Sequence, residues 1–411
     1  MSTYIKAYLG TTPLFKTSQG FAFVEGTDAG GGVQSLGNEY KHSAGTLTIF
    51  GNVTSTKDFH LCEGGSAAPA NCVITGTLTQ TNAGPQGAGG SPRGFTVAQS
   101  ANHVGTLTIN GANISLFGGV MIGDNQSTGA VGTIILNSGT FATNGGFWFS
   151  GPSNTFTMND GTITMTNCYI GGGGNGTTNP NPVSVLTING GTFNISQPVA
   201  INQSNMIFGV SNAGVSSTNT VNLNGGTLKH NNITCNTPAA GRTQVNTINF
   251  NGGVLDLDKG TSRAFPLALP AGVTWNLIIK NGGAIISVFT ATTMTMAVAF
   301  TNDGGNGGLT KQGAGTLAMG NLAHSYNGAT TISAGTITRA VTTGASTGTG
   351  TFGVSTLSVS FNVAPPSGTT TYNFFPAATT NSYASVTLTG VSAGTTATYN
   401  SANSTLTVVV P

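Results

Sequence analysis

Short runs that alternate apolar and polar residues recur along most of the chain. The run T-L-T-I-N at residues 106–110 alternates leucine and isoleucine with threonine. This period of two is the pattern of a half-buried β-strand. Gly and Asn follow such runs, and both tolerate the positive φ angles of tight turns. The pattern therefore predicts many short strands joined by sharp corners.

The strand-and-corner unit is an internal repeat. Copies begin at Gly105, Gly132, Asn154, Ser184, Asn219, Asn246 and Asn276, and a weaker copy begins at Gly45. Each of the seven clear copies has an asparagine at its corner, namely Asn110, Asn137, Asn159, Asn189, Asn224, Asn251 and Asn281. The corners recur every 22 to 35 residues, a length that suits one coil of two or three strands with its loops.

These repeats predict an all-β fold of the parallel β-helix type. Stacked coils would align the corners, so that Asn lies on Asn and Thr on Thr, and such ladders stabilise stacked sheets. Loops of variable length between the units are tolerated between the rungs of a solenoid. The alternative is an antiparallel β-sandwich or barrel array, because Asn-Gly is also a strong hairpin signal.

Regularity changes along the chain and divides it into three segments. Residues 1–94 are irregular and are predicted to be an N-terminal cap with the first rungs. Residues 95–350 carry the repeats. Residues 351–411 contain longer strands, predicted to form a C-terminal cap, a small sandwich or an assembly strand, since a solenoid needs its open edges covered.

The composition fits this picture and excludes other classes. Gly accounts for 63 of 411 residues and charged residues for only 5%, yet 38% of the chain is hydrophobic, which argues against disorder. A net charge of +2 on so few charges offers no basic patch for nucleic acid. Little charge repulsion keeps copies apart, so self-association is expected.

The carboxylates offer one close pair in strand-like sequence. Asp256 and Asp258 would project from the same face of a strand, about 7 Å apart, with Lys259 and Arg263 nearby. A polysaccharide hydrolase needs two carboxylates at a fixed separation, so this pair is the best candidate for an enzyme site. The favoured interpretation is that both residues solvate a strand, and no catalytic residue is predicted.

Metal and cofactor sites are not predicted. The histidines are scattered without metal-ligand spacing, at His42, His60, His103, His230 and His324. The Gly-rich stretch Asn302–Gly308 contains the single carboxylate Asp303 and is interpreted as a corner rather than a cation site.

Two further predictions concern cysteine and tryptophan. Cys62 and Cys72 bracket a short Gly/Ala/Pro loop, which favours a disulfide and an oxidising compartment, whereas Cys168 and Cys235 are predicted to be buried thiols. In the run Phe147–Phe149 the two phenylalanines are expected to fill the interior. Trp148 would then point outward as a possible contact for carbohydrate or a second subunit.

The stretch Gly307–Ile337 carries a more specific pattern, G-G-L-T-K-Q-G-A-G-T-L followed by a Y-x-G segment. The matching positions are Gly308, Leu309, Thr310, Lys311, Gly313, Gly315, Thr316, Leu317, Tyr326, Gly328 and Gly335. This pattern resembles the autotransporter-associated β-strand repeat of bacterial surface proteins. The resemblance implies a right-handed parallel β-helix that is exported or displayed as a passenger, adhesin or fibre, without catalytic residues.

The expected function is therefore that of a structural extracellular or cell-surface fibre or adhesin-like protein, not an enzyme. Its expected partners are further copies of itself, added head to tail into filaments, and a carbohydrate or cell surface. No run of apolar residues is long enough to span a membrane, and no export leader is visible. The alternatives are a virus tail fibre or spike, which needs no leader, and a β-helical polysaccharide lyase or hydrolase.

Overall fold

A computed structural model describes residues 7–9, 12–14, 33–36, 39–42, 45–49, 52–55, 58–61, 69–80, 93–98, 102–123, 129–171, 181–195, 205–209, 216–258, 261–383 and 385–411. Every regular element within these ranges is a β-strand. The chain divides into two compact units. The N-terminal unit comprises Met1–Asn222, Thr234–Asn246 and Pro270–Thr274, and the C-terminal unit comprises Leu223–Ile233, Thr247–Leu269 and Trp275–Pro411.

The strands of the first half of the chain are short, apart from two runs of 13 residues. In chain order they are β1 Ala7–Leu9, β2 Thr12–Leu14, β3 Val33–Leu36, β4 Glu39–His42, β5 Gly45–Ile49, β6 Asn52–Ser55, β7 Asp58–Leu61, β8 Ala70–Ile74, β9 Thr77–Gln80, β10 Arg93–Val97, β11 Val104–Leu116, β12 Gly119–Ile122, β13 Val131–Thr143, β14 Phe147–Phe149, β15 Ser153–Met158, β16 Thr162–Met165, β17 Cys168–Ile170, β18 Val183–Ile188, β19 Thr192–Ile195 and β20 Asn205–Phe208.

The strands of the second half become longer toward the C-terminus. They are β21 Ser217–Leu223, β22 Thr227–His230, β23 Asn232–Cys235, β24 Gln244–Phe250, β25 Val254–Leu257, β26 Arg263–Phe265, β27 Val273–Ile279, β28 Ala284–Val288, β29 Thr293–Met296, β30 Phe300–Asn302, β31 Leu309–Gln312, β32 Thr316–Ala318, β33 Thr330–Ile332, β34 Thr336–Thr343, β35 Ser346–Phe352, β36 Leu357–Val363, β37 Gly368–Asn373, β38 Val386–Thr389, β39 Thr396–Asn400 and β40 Thr405–Val410.

In the N-terminal unit, equivalent strands of successive repeats pair in parallel and build three sheets. The first sheet pairs β5, β8, β11, β13, β15 and β18 in that order. The second pairs β6, β9, β11, β13, β16 and β19. The third pairs β4, β7, β10, β12, β14, β17 and β20. Each repeat thus contributes one strand to every sheet, an arrangement that is compatible with a parallel β-helix.

The hairpin alternative is wrong for the repeats. In a hairpin, the two strands beside a corner would pair with each other in antiparallel register. Strands β15 and β16, which flank the corner at Asn159, instead pair in parallel with strands of the preceding and following repeats. Parallel pairing is already present between β5 and β8, before the predicted boundary at residue 94.

The core of the N-terminal unit consists of rows of apolar side chains in register. Ile114, Phe141, Ile163 and Phe193 are adjacent in the second sheet, and each is at most 2% exposed. The period-two alternation places these residues inward and the polar or small residues between them outward. Aromatic rings contact edge to face across the interior, with Phe156 lying 5.6 Å from Phe147 between ring centroids.

Glycine at the corners permits a close approach of successive chains. Gly161 has a φ angle of 99°, and a Cβ atom at this position would lie 2.3 Å from the carbonyl oxygen of Gly139. Gly191 has a φ angle of 71° and the same relationship to Gly161, at 2.2 Å. A side chain at either position would force the stacked corners apart, so glycine is required there.

The C-terminal unit begins with parallel sheets and ends with antiparallel ones. One parallel sheet pairs β22, β25, β28, β31 and β33, and a second pairs β26, β29, β32 and β34. From β34 the second sheet continues through antiparallel β35 and β36, and β38 joins β36 in parallel. Strands β37, β40 and β39 form a separate antiparallel sheet.

Candidate functional site

The predicted carboxylate pair lies on the outward side of β25 and just beyond its end. The ammonium group of Lys229, on the neighbouring strand β22, is 3.6 Å from a carboxylate oxygen of Asp256 and 3.6 Å from one of Asp258. Register alone brings Lys229 beside Asp256. The sugar and water that a glycosidase places between its carboxylates would have to compete with Lys229 for this position. Lys259, the other predicted neighbour, lies outside the described residues.

The corner asparagines form a hydrogen-bonded ladder on the exposed side of the N-terminal unit. Nδ2 of Asn137 donates to Oδ1 of Asn110 at 2.6 Å, Asn159 donates to Asn137 at 2.7 Å, and Asn189 donates to Asn159 at 2.8 Å. The same atom types meet at every step because each corner repeats the geometry of the one before it. Four of the seven predicted corner residues thus lie in one continuous stack.

The remaining three corners lie in the C-terminal unit, where the ladder is looser. Asn251 Nδ2 lies 3.5 Å from Asn224 Oδ1. Asn251 Oδ1 accepts instead from the backbone N–H of Gly282, and Asn281 Oδ1 accepts from that of Asn306. The Asn251 and Asn281 side chains therefore bond to the backbone of the following turn.

A second amide ladder runs inside the N-terminal unit and was not predicted from the sequence. Asn154, Ser184, Asn219 and Asn246 are all at most 1% exposed. Asn154 donates to the carbonyl of Gly151 at 2.6 Å, and Asn219 donates to Oδ1 of Asn246 at 2.9 Å. The signal in the sequence is a polar residue at the inward position that opens a repeat, where Gly105 and Gly132 stand in the earlier copies.

Trp148 lies on the outward side of the third sheet, and Phe147 and Phe149 are fully buried, as the alternation predicts. One face of the indole stacks on Tyr169 of the next strand, with ring centroids 5.8 Å apart and planes 8° apart. The ring also lies over Gly119, where a Cβ atom would be 2.0 Å from it. Sugars bind aromatic rings through their faces, so the contacts with Tyr169 and Gly119 leave Trp148 poorly placed for stacking a sugar.

The histidines described with their side chains are buried rather than gathered into a site. His60, His103, His230 and His324 are between 2% and 8% exposed. Burial lowers the pKa of His230 to about 3, and its ring packs near Phe265 at 6.3 Å between centroids. Neither ring nitrogen of His230 has a hydrogen-bond partner, so charging this ring inside the fold would be costly.

The cysteines provide no reactive thiol among the described residues. Cys72 is a free thiol that points into the interior, and burial raises its pKa to about 12. The predicted disulfide between Cys62 and Cys72 is therefore not formed, because Cys72 faces the interior as a free thiol; Cys62 itself lies outside the described residues. Cys168 is a free, fully buried thiol whose pKa burial also raises, and Cys235 is 8% exposed. A raised pKa removes the nucleophilic thiolate.

The Gly-rich turn at residues 302–308 holds an ion pair. Lys280 Nζ donates to Asp303 Oδ2 at 2.5 Å, and this hydrogen bond lowers the pKa of the Asp303 carboxyl group. The N–H of Gly304 donates to Oδ1 of Asn302 at 2.8 Å. The groups that could bind a cation are therefore engaged by the protein. No cluster of three or more His, Cys, Asp or Glu side chains suited to a metal is present in the described ranges.

The segment that follows this turn contains two cations bound to backbone carbonyls. Lys311 is 0% exposed, and its Nζ donates to the carbonyls of Gln312 at 2.5 Å and Gly313 at 2.7 Å. Burial lowers the pKa of this ammonium group to about 8. Arg339 is half-buried and donates to the carbonyls of Gly320 and Leu322 at 2.7 and 2.6 Å. The sequence does not predict an inward lysine, since charged residues are rarely buried.

Tyr326, another position of the repeat pattern, is also structural. It is 1% exposed, and its hydroxyl group lies 2.6 Å from Oγ1 of Thr330. Burial raises the pKa of this phenol. The repeat residues Lys311 and Tyr326 are therefore engaged in contacts that fix the chain path.

Comparison with protein families matches residues 309–338 to the passenger-associated-transport-repeat. The match covers strands β31, β32 and β33 and the whole parallel part of β34, residues 336–338. It shows that the chain resembles autotransporter passenger repeats, and it supports a surface-associated passenger segment of an exported protein. Comparisons with curated proteins and with solved structures gave no match. Among the described residues, none forms a helix long and apolar enough to cross a membrane.

Proposed function

We propose that this chain is a structural, non-enzymatic passenger segment of an exported surface protein, built as a right-handed parallel β-helix. The match of residues 309–338 to a passenger repeat carries the proposal. Parallel pairing of equivalent strands supports the β-helix, and parallel crossover connections are right-handed in nearly all proteins. The repeats then supply length and a regular polar surface.

The chemistry of the surface supports a structural role. Outward positions of the first and second sheets carry residues such as Thr106, Thr133 and Thr155, which are adjacent in register. The carboxylates best placed for catalysis, Asp256 and Asp258, are engaged by Lys229. Rows of hydroxyl and amide groups keep a surface hydrated but offer no reactive group, which suits a fibre or an adhesin-like stalk.

The location is tested on intact cells that produce the protein. An antibody against an epitope tag placed in residues 172–180, between β17 and β18, is expected to label unpermeabilised cells, and added protease is expected to remove the signal. Labelling that requires lysis, with the protein recovered only in the cytoplasmic fraction, would contradict the proposal. A tagged cytoplasmic protein in the same cells is the control for membrane integrity.

One partner belongs to this proposal, namely a carbohydrate or cell surface. If Trp148 contacts carbohydrate, binding of the protein to a glycan array is expected to fall at least tenfold in the Trp148→Ala variant. The matched control is Trp275→Phe, since Trp275 is 7% exposed. Binding that is the same in Trp148→Ala and in the unaltered chain would remove Trp148 as a ligand contact, and the stacked geometry with Tyr169 favours that result.

A further inference from the structure

The last parallel strand of the C-terminal unit, β33, has an edge whose backbone groups are all occupied. Alternate residues of an edge strand direct their N–H and C=O groups away from the sheet. In β33 these residues are Thr330 and Ile332. The positions that alternate with them face β31 instead, as the bond from Ser333 N to Lys311 O shows. Thr330 N donates to Ala378 O at 2.8 Å, and Thr330 O accepts from Thr380 N at 3.0 Å.

A side-chain amide completes the edge. Oδ1 of Asn381 accepts from the N–H of Ile332 at 2.7 Å, and Nδ2 of Asn381 donates to Ile332 O at 3.0 Å. The carboxamide of asparagine has the planar donor and acceptor of a peptide group, so it replaces one residue of a pairing strand. Nδ2 also donates to Val354 O at 3.0 Å. The four outward groups of Thr330 and Ile332 are thus all bonded to residues 378–381, here named the edge strap.

The edge strap is held from behind by the antiparallel sheet. Thr379 N donates to Ser401 O at 2.9 Å, and Thr379 Oγ1 lies 3.1 Å from the hydroxyl group of Tyr399. On its front, Thr380 Oγ1 donates to Thr331 Oγ1 at 2.9 Å. The strap is therefore anchored to strand β39 and the turn after it, which gives this part of residues 351–411 a specific structural task.

A second parallel edge is closed in the same way by a histidine. In β30 the N–H of Phe300 donates to Nδ1 of His324 at 3.0 Å, and Phe300 O accepts from Ser325 N at 2.9 Å. Nδ1 must be unprotonated to accept, so Nε2 carries the proton toward Met319 O at 3.2 Å. The sheet containing β34 is continued by antiparallel strands. Each of these parallel sheets in the C-terminal unit thus ends in hydrogen bonds to another segment of the same chain.

We propose that the edge strap and His324 form a protective cap that prevents a second copy of this chain from adding strands to the parallel sheets. A second copy is the partner that fits such an edge, because its repeat strands, such as the four-residue β22 and β25, alternate buried and outward residues as β31 and β33 do. Only 5% of the residues are charged, so little electrostatic repulsion would oppose that pairing. This proposal does not depend on where the protein acts, and it locates the control of self-association at Asn381.

The direct test changes Asn381 in the full chain. Asn381→Asp keeps an oxygen for the N–H of Ile332 but places a carboxylate against the carbonyls of Ile332 and Val354. Asn381→Leu removes both bonds. In Asn381→Leu the amide of Ile332 has lost its acceptor and is expected to exchange with solvent about tenfold faster or more. Light scattering is then expected to show masses at multiples of the chain that rise with concentration relative to the unaltered protein.

Controls separate release of the edge from general damage. Asn373→Asp adds the same charge at an exposed position of the same antiparallel sheet and is expected to change neither exchange nor mass. Unchanged protection of the Ile286 amide, on the central strand β28 of the C-terminal unit, shows that this unit stays folded. If both Asn381 variants unfold, His324→Leu tests the same idea at Phe300. Faster exchange without a gain in mass, or unchanged exchange of Ile332 in Asn381→Leu, would overturn the proposal.

Discussion

Nδ2 of Asn159 donates to Oδ1 of Asn137 across 2.7 Å, and Asn159 accepts in turn from Asn189 at 2.8 Å. The two middle amides of this stack, Asn137 and Asn159, each donate and accept, so each one supports two neighbouring coils. Asn159→Asp removes the donor and adds a charge beside Oδ1 of Asn137. We expect a loss of about 1 kcal/mol in the free energy of unfolding, measured by chemical denaturation.

The control for this prediction is Asn373→Asp, an exposed change of equal charge outside the ladder. It is expected to stay within about 0.5 kcal/mol of the unaltered protein. Equal effects of the two substitutions would mean that the ladder does not stabilise the stacked corners.

Truncating a residue of the interior aromatic row is expected to leave a cavity and to lower the free energy of unfolding strongly. Phe156 is 0% exposed and contacts Phe147 and Phe193 edge to face, at 5.6 and 6.0 Å between ring centroids. Phe156→Ala is expected to cost about 3 to 5 kcal/mol in the free energy of unfolding. Thr157→Ala, the neighbouring outward position, should change it by about 0.5 kcal/mol or less. A mild effect of Phe156→Ala would place this ring outside the core.

His230 predicts a loss of stability in acid. Its pKa in the folded protein is about 3 because of burial, below the ordinary value of 6.5, so the unfolded chain binds this proton more tightly. Below pH 6.5 the contribution of His230 to stability therefore falls by about 1.4 kcal/mol per pH unit, until pH nears 3. His230→Leu should lessen the decline between pH 6 and 4, since Leu257 occupies the equivalent position on the next strand. Identical pH profiles of the two proteins would contradict this assignment.

The burial of Lys311 predicts a change in stability at the alkaline end of the pH profile. Its pKa of about 8 lies below the ordinary 10.5 because of burial, so the unfolded chain holds the proton more tightly between these values. The contribution of Lys311 to stability should rise from pH 8 to 9.5 by at most about 1.4 kcal/mol per unit. Lys311→Met should lack this rise, whereas Lys280→Met, at a half-exposed lysine, should retain it. A rise that persists in Lys311→Met would assign it to another group.

The sequence predicted what repeats from coil to coil. The corner ladder at Asn137 and Asn159 and the inward direction of Phe147 and Phe149 follow from period-two alternation and from equal positions in successive units. Lys311 lies on the same inward side of β31 as Leu309, and the sequence did not predict this because charged residues are rarely buried. Its backbone carbonyl partners only become visible once the turn is folded.

Contacts that do not repeat from coil to coil could not be predicted from the sequence. Asn381 meets Ile332 across 49 residues, and no periodicity marks that contact. The partner of Asp256 and Asp258 could not be named either, because Lys229 joins them through the register of β22 and β25. Long-range contacts outside the repeat depend on the tertiary fold. They determine the partner of the carboxylate pair and the hydrogen bonds that cover the C-terminal edge.

The stacking of one coil on the next is tested most directly by disulfide cross-linking. Outward residues Ala142, Thr164 and Asn194 occupy consecutive positions of the second sheet. In a Cys62→Ser background, the pairs Ala142→Cys with Thr164→Cys and Thr164→Cys with Asn194→Cys are expected to form disulfides on mild oxidation. The pair Ala142→Cys with Asn194→Cys, two strand spacings or about 9.6 Å apart, is expected to stay reduced. Cross-linking of that distant pair, or failure of both adjacent pairs, would contradict the parallel stack.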